Sequence, residues 1–498
     1  MKRCFWLCFL IIGVNALAQN RTNVWELCYF NTDPYPLCEL RYQNGIMDTV
    51  SVFRKSSFFI TNTSICDTNG NLLFYTNGIV IENKDYDTLL NSENFNAGWA
   101  TDENQDDGLS ACQAVLIIPD PKPSSKYFLF HITGEEFVAN NQYEVQPLHL
   151  SYTIIDMNLD NGLGGVMDEF KNVHLVEDTL TWGGLTAVRH VNGVDWWIVA
   201  HRYYSDKYYK FLLTENGIEG PFIQHIGSEM KYDVDVQATF SPDGSKFCFS
   251  NHGGWFDYIE FDRCTGEFSN SLTVVIPDSL AIYGNSFSPN GRYLYISSFY
   301  NLYQYDTWNP EMVTSPIHVA TWDTFNFFSI PVLFFMHQLA PDNRIYVSPF
   351  NGVPYIGIID SPDSLGVACN FLQHSLKLPD HEYTNNIPSF PNYDLGSLPG
   401  GDTCNSVYTI QTPLQNEVFF YRVAPNPVSH WLNITYQSNE DALFELFDLY
   451  GKRVGAISLF HYFKNRLLNV SELPPGVYLA AVSCKGERVW SEKVVVQR

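Results

Sequence analysis

Three stretches of this chain repeat one unit: a strand, a tight turn and a second strand. Phe240-Ser-Pro-Asp-Gly244 precedes KFCFS, Phe287-Ser-Pro-Asn-Gly291 precedes RYLYIS, and Leu339-Ala-Pro-Asp-Asn343 precedes RIYVS. Proline presets φ at the turn entry, and Asp-Gly or Asn-Gly tolerates the positive φ that a tight hairpin demands. The turns start at 241, 288 and 340, so the unit recurs after 47 and 52 residues. A unit this short cannot bury its own apolar faces. Several strands in each period of about 40–50 residues point to the blades of a propeller. Weaker copies fit residues 50–98 (with Asp67-Thr-Asn-Gly70), 112–160 and 185–217. Residues 19–398 thus divide into about seven blades at roughly 45–55 residues each. The early strand Asn23 to Phe30 is expected to join a blade from the far end and close the ring. A pair of β-sandwiches is the competing architecture, and it explains the spaced turns less well.

Composition agrees. Aromatics make up 15% of the 498 residues and charged residues only 17%, which excludes intrinsic disorder and suits pleated, half-buried surfaces. The formal charge of −25 would repel phosphates, so no nucleic-acid partner is expected.

The N-terminus reads as an address. Lys2 and Arg3 precede the apolar run Cys4 to Val14, and Ala16-Leu17-Ala18 is a small-residue cleavage signal. This is the pattern of a secretory signal peptide over residues 1–18, cleaved near Ala18 and too short to span a bilayer. Loss of Lys2 and Arg3 leaves 54 acids against 27 bases, a charge of −27. No transmembrane segment is expected in the mature chain. Nine cysteines remain, and disulfides are permitted after export. Cys28–Cys38 and Cys369–Cys404 are local pairings the spacing allows. The odd count leaves at least one thiol free, with Cys484 the candidate.

Residues 23–398 resemble a secreted propeller family of Bacteroidetes, WD40- or lactonase-like in build. The matching stretches are Asp67-TNGNLLFYTNG-Ile79, Ile155-Asp-Met-Asn158, Thr186-AVRHVNGVDWWIVAH-Arg202, Phe240-SPDG, Phe261-DRCTGEFSN-Ser271, Phe287-SPNGRYLYIS and Leu339-APDNRIYVS. The resemblance implies an extracytoplasmic role and brings no catalytic residues. Residues 312–335 depart from the pattern.

The style of the chain changes after the Pro/Gly-rich Gly396-Ser-Leu-Pro-Gly-Gly401. Residues 399–420 read as a linker and 421–498 as a small β-sandwich. This last unit resembles the type A C-terminal sorting domain of the type IX secretion system. The resemblance rests on Pro425-Asn426-Pro427, Asp448 and Gly451, Leu473-Pro-Pro-Gly476-Val477-Tyr478 and Lys493-VVVQ-Arg498. It implies passage through the type IX machinery and removal of the domain by a sortase. The product is then released or attached to surface lipopolysaccharide, outside the outer membrane.

The expected fold class is therefore all-β: a propeller of about seven blades followed by a small C-terminal sandwich. Catalytic motifs are missing: there is no G-x-S-x-G, H-E-x-x-H, Walker loop or dinucleotide fingerprint. No cofactor or catalytic residue is assigned, and the metal question stays open. The acidic loop Asp102 to Gly108 has its glycine one place late for a calcium loop and Gln113 where a bidentate Glu belongs, so a solvated loop is expected. Asp233 and Asp235 alternate on a strand and could share a face. His190, His201 and His252 are the candidate channel residues, as metal ligands or bases, against the plainer role of hydrogen bonding between blades. Trp182, Trp196, Trp197, Trp255, Tyr203 and Tyr204 could stack on sugar rings, against core packing. The function expected is a binding or interaction module for a polysaccharide or protein ligand. The alternative is a hydrolase or lyase with its site at the channel mouth.

Overall fold

In the computed structural model the described residues are 20–497, apart from 30–35, 140–141, 230–233, 310, 312–314, 380–382, 399–403, 405–419, 425, 439 and 461–464. The signal peptide expected over residues 1–18 therefore lies outside them. Among the described residues seven sheets of three or more antiparallel strands follow one another along the propeller, and we number them as blades: blade 1 (24–52), blade 2 (63–83), blade 3 (115–177), blade 4 (186–225), blade 5 (238–275), blade 6 (282–321) and blade 7 (334–377). Blades 4 to 7 have four strands in simple up-and-down order, and blades 1 and 2 have three. In blade 3 the strand His149–Asp156 carries two short outer partners, Gly165–Val166 and Val173–Glu177.

The first strands of blades 1 to 3 pack side by side in turn, as do those of blades 4 to 7, so these strands gather about a common axis and the sheets radiate from it. Large apolar side chains fill the wedges between sheets. Phe247, Phe249, Phe261 and Phe268 of blade 5 meet Trp197 and Tyr208 of blade 4. Tyr305 of blade 6 lies edge-on to Phe256 of blade 5, with ring centroids 5.1 Å apart. The fold is a seven-bladed propeller. Strand alternation splits its connections between two faces. The turns between first and second strands, including the S-P-[DN]-[GN] turns, form a turn face. The connections between second and third strands, and from each blade to the next, form a loop face.

Ring closure differs from the expectation. Val24–Glu26 pairs with Leu37–Gln43 inside blade 1, rather than adding to a blade from the far end. Blade 1 meets blade 7 by packing, Trp25 and Tyr42 lying against Tyr346 at 5.4 and 6.1 Å. A bridge from Tyr29 to Tyr383 continues the contact. The cysteine pairings also need correction. Cys28, Cys38 and Cys369 are buried free thiols, and the disulfide joins Cys264 to Cys404. The partners lie 140 residues apart, and sequence proximity cannot reveal a pairing made by the ring. Cys484 is free.

The second unit is a sandwich of a three-stranded and a four-stranded sheet. Phe420–Ala424, Trp431–Gln437 and Asn465–Asn469 form one; Ala442–Phe447, Arg453–Leu459, Gly476–Cys484 and Glu487–Val496 form the other. Leu432, Ile434, Phe444, Leu446, Ala480 and Val482 are fully buried between them. No helix among the described residues is long and apolar enough to cross a membrane.

Candidate functional site

The sandwich explains its own motifs. The Asn426 side chain clamps the last strand: Nδ2 donates to the Lys493 carbonyl (2.7 Å), and Oδ1 accepts from the Val495 amide (2.9 Å). Val428 extends this pairing, its amide donating to the Val495 carbonyl. The P-N-P loop and the terminal K-V-V-V strand are thus one structural element, although Pro425 itself lies outside the described residues. Asp448 shapes the D-x-x-G turn by accepting from the Tyr450 and Lys452 amides (both 2.9 Å), while Gly451 takes φ +79°. The Tyr478 hydroxyl donates to the Pro474 carbonyl (2.7 Å), fastening the L-P-P-G-V-Y corner. Val477 and Lys493 face outward, and a Cβ on Gly476 would meet Pro474 and Tyr478 only at ordinary contact distance, 3.9 Å.

On the propeller, the three candidate histidines do not converge. His190 ends the first strand of blade 4 on the turn face; its Nδ1 accepts from the Asn192 amide (3.2 Å), and its Nε2 donates to the Cys264 carbonyl (3.2 Å). His201 stands at the opposite end of the neighbouring strand, paired through Nδ1 with the Thr181 hydroxyl (3.0 Å) and packed between Tyr208 and Phe249. His252 occupies a loop-face turn of blade 5 against Tyr283. Burial lowers the imidazoles of His201 and His252 to about 3 and about 4, so both are neutral. None of the three lines the channel cavity. Among the described residues no group of three or more His, Cys, Asp or Glu side chains is placed to hold a metal ion. The Asp102, Asp106 and Asp107 side chains are exposed, and those of Asp233 and Asp235 lie outside the description.

The channel is instead stitched by buried amides. Gln113 binds both backbone groups of Ala238, at 3.0 and 2.7 Å. Gln237 does the same for His337, at 2.6 and 3.1 Å, and also receives the Asn285 amide at 3.0 Å. Each amide offers a donor and an acceptor, so it satisfies first-strand groups that face the axis rather than another strand. In the sequence Gln113 stands out only as the residue in a calcium loop's last place, and Gln237 and Asn285 not at all, because amides scattered ahead of apolar strands carry no motif. A cavity of about 480 Å³ opens on the turn face, bounded by Ser241, Pro242, Pro341, Asn343 and the segment Phe390 to Asp394. His337 abuts Gly284, where a Cβ would stand 2.6 Å from the ring; it is fully buried and not presented to solvent.

The loop face of blades 6 and 7 carries a second feature, in the region that departs from the repeat. Asn326–Phe327 and Ile330–Pro331 form a two-residue hairpin with Phe328 and Ser329 at its tip. Both tip residues have positive φ, +52° and +95°. Tight two-residue turns favour Asn-Gly or Gly at these places because a side chain there is strained. Phe328 is nevertheless 84% exposed. Anchors hold the hairpin: Phe327 packs on Tyr355 (5.8 Å), Phe325 stacks on His374 (4.0 Å), and Asn351 donates to the Pro331 carbonyl (3.0 Å). Beside it, Trp322 lies 6.0 Å from the half-exposed Tyr300, and Phe299 bridges Tyr283 and the partly exposed Phe350. Asn301, Asp323 and Gln373 rim these rings with hydrogen-bonding groups. The aromatics singled out in the sequence lie elsewhere. Trp196 and Trp197 are buried, Trp182 and Trp255 donate to Ser110 and Ser228, and Tyr203 packs on Tyr204.

Fold and motifs together define an exported propeller bearing its own secretion signal. Residues 422–497 match the family described as a secretion system C-terminal sorting domain. That domain marks the chain for type IX export to the cell surface, outside the outer membrane. No curated protein sequence matches the chain. Solved structures similar to it include a putative 6-phosphogluconolactonase from Bacteroides uniformis, with 12% identity, TM-score 0.39, and coverage of 74% of this chain and 98% of that one. PorZ, a surface component of the type IX secretion system of Porphyromonas gingivalis, is similar at 10% identity and TM-score 0.35, covering 93% of this chain and 63% of that one.

Proposed function

We propose that this chain is an exported binding module whose loop face holds a neutral polysaccharide. The observation that carries the reading is the Phe327–Ile330 hairpin, which keeps a bulky aromatic at a strained, exposed tip. Backbone strain and a large exposed apolar group both cost stability, and they persist where function uses them. A chain-like ligand suits the arrangement, because the exposed rings are spread over blades 6 and 7 instead of forming one knob. Amide and carboxylate groups beside the rings suit hydroxyls. The net charge of −27 after leader removal disfavours a polyanion. In this reading the signal peptide is cleaved near Ala18, a sortase removes the sorting domain, and the propeller is released or attached to lipopolysaccharide.

The test is a glycan array probed with the full exported chain beside Phe328→Ala and Trp322→Ala. Binding to a neutral glycan, weakened at least tenfold by either change, supports the proposal. Undiminished binding by both variants, or binding of proteins only, overturns it. For the address, deletion of 421–498 is expected to hold the propeller in the periplasm.

A further inference from the structure

The chain does not end its work on the propeller at blade 7. Residues 383–398 run back across the ring and touch one blade after another. The Asn386 side chain donates to the carbonyls of Phe58 and Phe59 (2.7 and 3.1 Å), and the Ser389 amide donates to the Asn62 carbonyl. Phe390 donates its amide to Gln338 of blade 7. The segment then enters the turn face. Asn392 donates to the Pro242 carbonyl (2.8 Å) beside blade 5, and the buried Tyr393 hydroxyl donates to the Ile117 carbonyl of blade 3 (2.6 Å). Arg263 donates to the Gly396 carbonyl (2.7 Å), and the Leu398 amide donates to Val191 (3.0 Å).

Two glycines record how closely this strap is seated. A Cβ on Gly193 would stand 2.5 Å from the Ser397 nitrogen, and one on Gly244 would stand 3.0 Å from Leu395. The strap then ends in a covalent bond. Cys404 is joined to Cys264, which lies in the turn between the last two strands of blade 5. His190, on the neighbouring blade, hydrogen-bonds the Cys264 carbonyl.

We propose that strap and disulfide form a clasp that walls one side of the turn-face cavity and locks the ring independently of the sorting domain. The topology supplies the need. Blades 1 and 7 share no strand, so ring closure rests on packing and on whatever spans the seam. The strap spans it, Phe390 packing on Trp25 of blade 1 (5.9 Å) while its amide bonds Gln338 of blade 7, and its remaining contacts reach blades 2, 3, 4 and 5. The disulfide fixes the strap upstream of the sorting domain, whose first strand starts at Phe420. Removal of that domain therefore leaves the clasp intact, while reduction of the bond frees the strap and withdraws Phe390 to Asp394 from the cavity they line.

Hydrogen exchange on the chain of residues 19–498, with the sorting domain still attached, tests this, comparing the oxidised protein with Cys404→Ser. The expected result is at least tenfold faster exchange across 390–398 and new chymotryptic cleavage at Tyr393, with peptides from 421–497 unchanged. Unaltered protection of 390–398 overturns the proposal. Should Cys404→Ser fail to accumulate, reduction of the folded wild-type chain gives the same comparison, and reoxidation must restore protection. Thiol labelling of the denatured oxidised chain must count seven free cysteines; nine would also overturn it.

Discussion

Gly244 and Gly291 hold the same place in two copies of the repeat turn and share φ of +73°. Their surroundings differ. A Cβ on Gly244 would meet Val188 at 2.6 Å and Arg263 at 2.8 Å, whereas one on Gly291 finds its nearest atom, in Pro242, at 3.7 Å. Gly291→Ala carries only the left-handed backbone penalty and is expected to cost about 1–2 kcal/mol. Gly244→Ala adds a clash under the clasp and is expected to cost about 3 kcal/mol or more. Chemical denaturation of the two variants checks the order. The third copy has Asn343 at φ +65°, which the sequence repeat already allowed. Buried histidines supply a second residue-scale test. Burial lowers His201 to about 3 in the folded chain, against about 6.5 unfolded. A lowered histidine favours the neutral form, so its contribution is complete above about pH 6.5 and declines as pH falls towards 3. At pH 5 the loss is about 2 kcal/mol. His201→Phe keeps the packing against Tyr208 and Phe249 and removes the titration. Its melting temperature is expected to fall less than the wild type's between pH 7.5 and 5, and parallel curves would contradict this.

The hairpin of residues 326–331 shows where an element escapes its sequence. The blades were legible because Pro-Asp-Gly turns and alternating apolar runs report local geometry directly. This hairpin was not, since Phe-Ser is a poor two-residue turn by any local rule, and its form comes from Phe325, Phe327 and Asn351 held by blade 7. The amides on the channel axis were illegible for a related reason: Gln113 and Gln237 bond to blades 125 and 100 residues away. Replacing Phe328-Ser329 by Asn-Gly gives the turn its preferred residues and is expected to stabilise the chain by about 1 kcal/mol. The same change removes the exposed ring. Glycan binding is expected to fall at least tenfold while the melting temperature rises, a combination that a purely structural hairpin would not produce.

At the scale of the whole molecule, the two domains are joined by more than chain connectivity. Trp431 of the sorting domain lies against His149 and His174 of blade 3, at 5.1 and 4.6 Å, and Phe460 packs on Phe170 at 5.2 Å. This seat was invisible in the sequence, because neither surface has a pattern that names its partner. The two imidazoles are 4.3 Å apart; burial lowers His149 to about 4 and His174, with help from His149, to about 3. The Ser151 hydroxyl pairs with His174 at 2.8 Å, Glu177 lies opposite His149 in the strand register, and Arg466 over Phe460 brings a cation from the sorting domain. Burial and neighbouring Asp178 raise Glu177 to about 7, so it offers little negative charge to hold protonated histidines under acid conditions. Once exposed, both histidines would titrate near 6.5. Folded values below that mean that docking is strongest above about pH 6.5 and weakens towards pH 4, by up to about 1.4 kcal/mol per unit for each ring whose burial depends on the seat. Solution scattering from the full chain is expected to show an increase in radius of gyration between pH 6.5 and 4.5. Trp431→Ala is expected to give the expanded form already at pH 7.5. A radius that stays constant through this range, while both histidines are seen to titrate by NMR, would show that the sorting domain is held by other contacts.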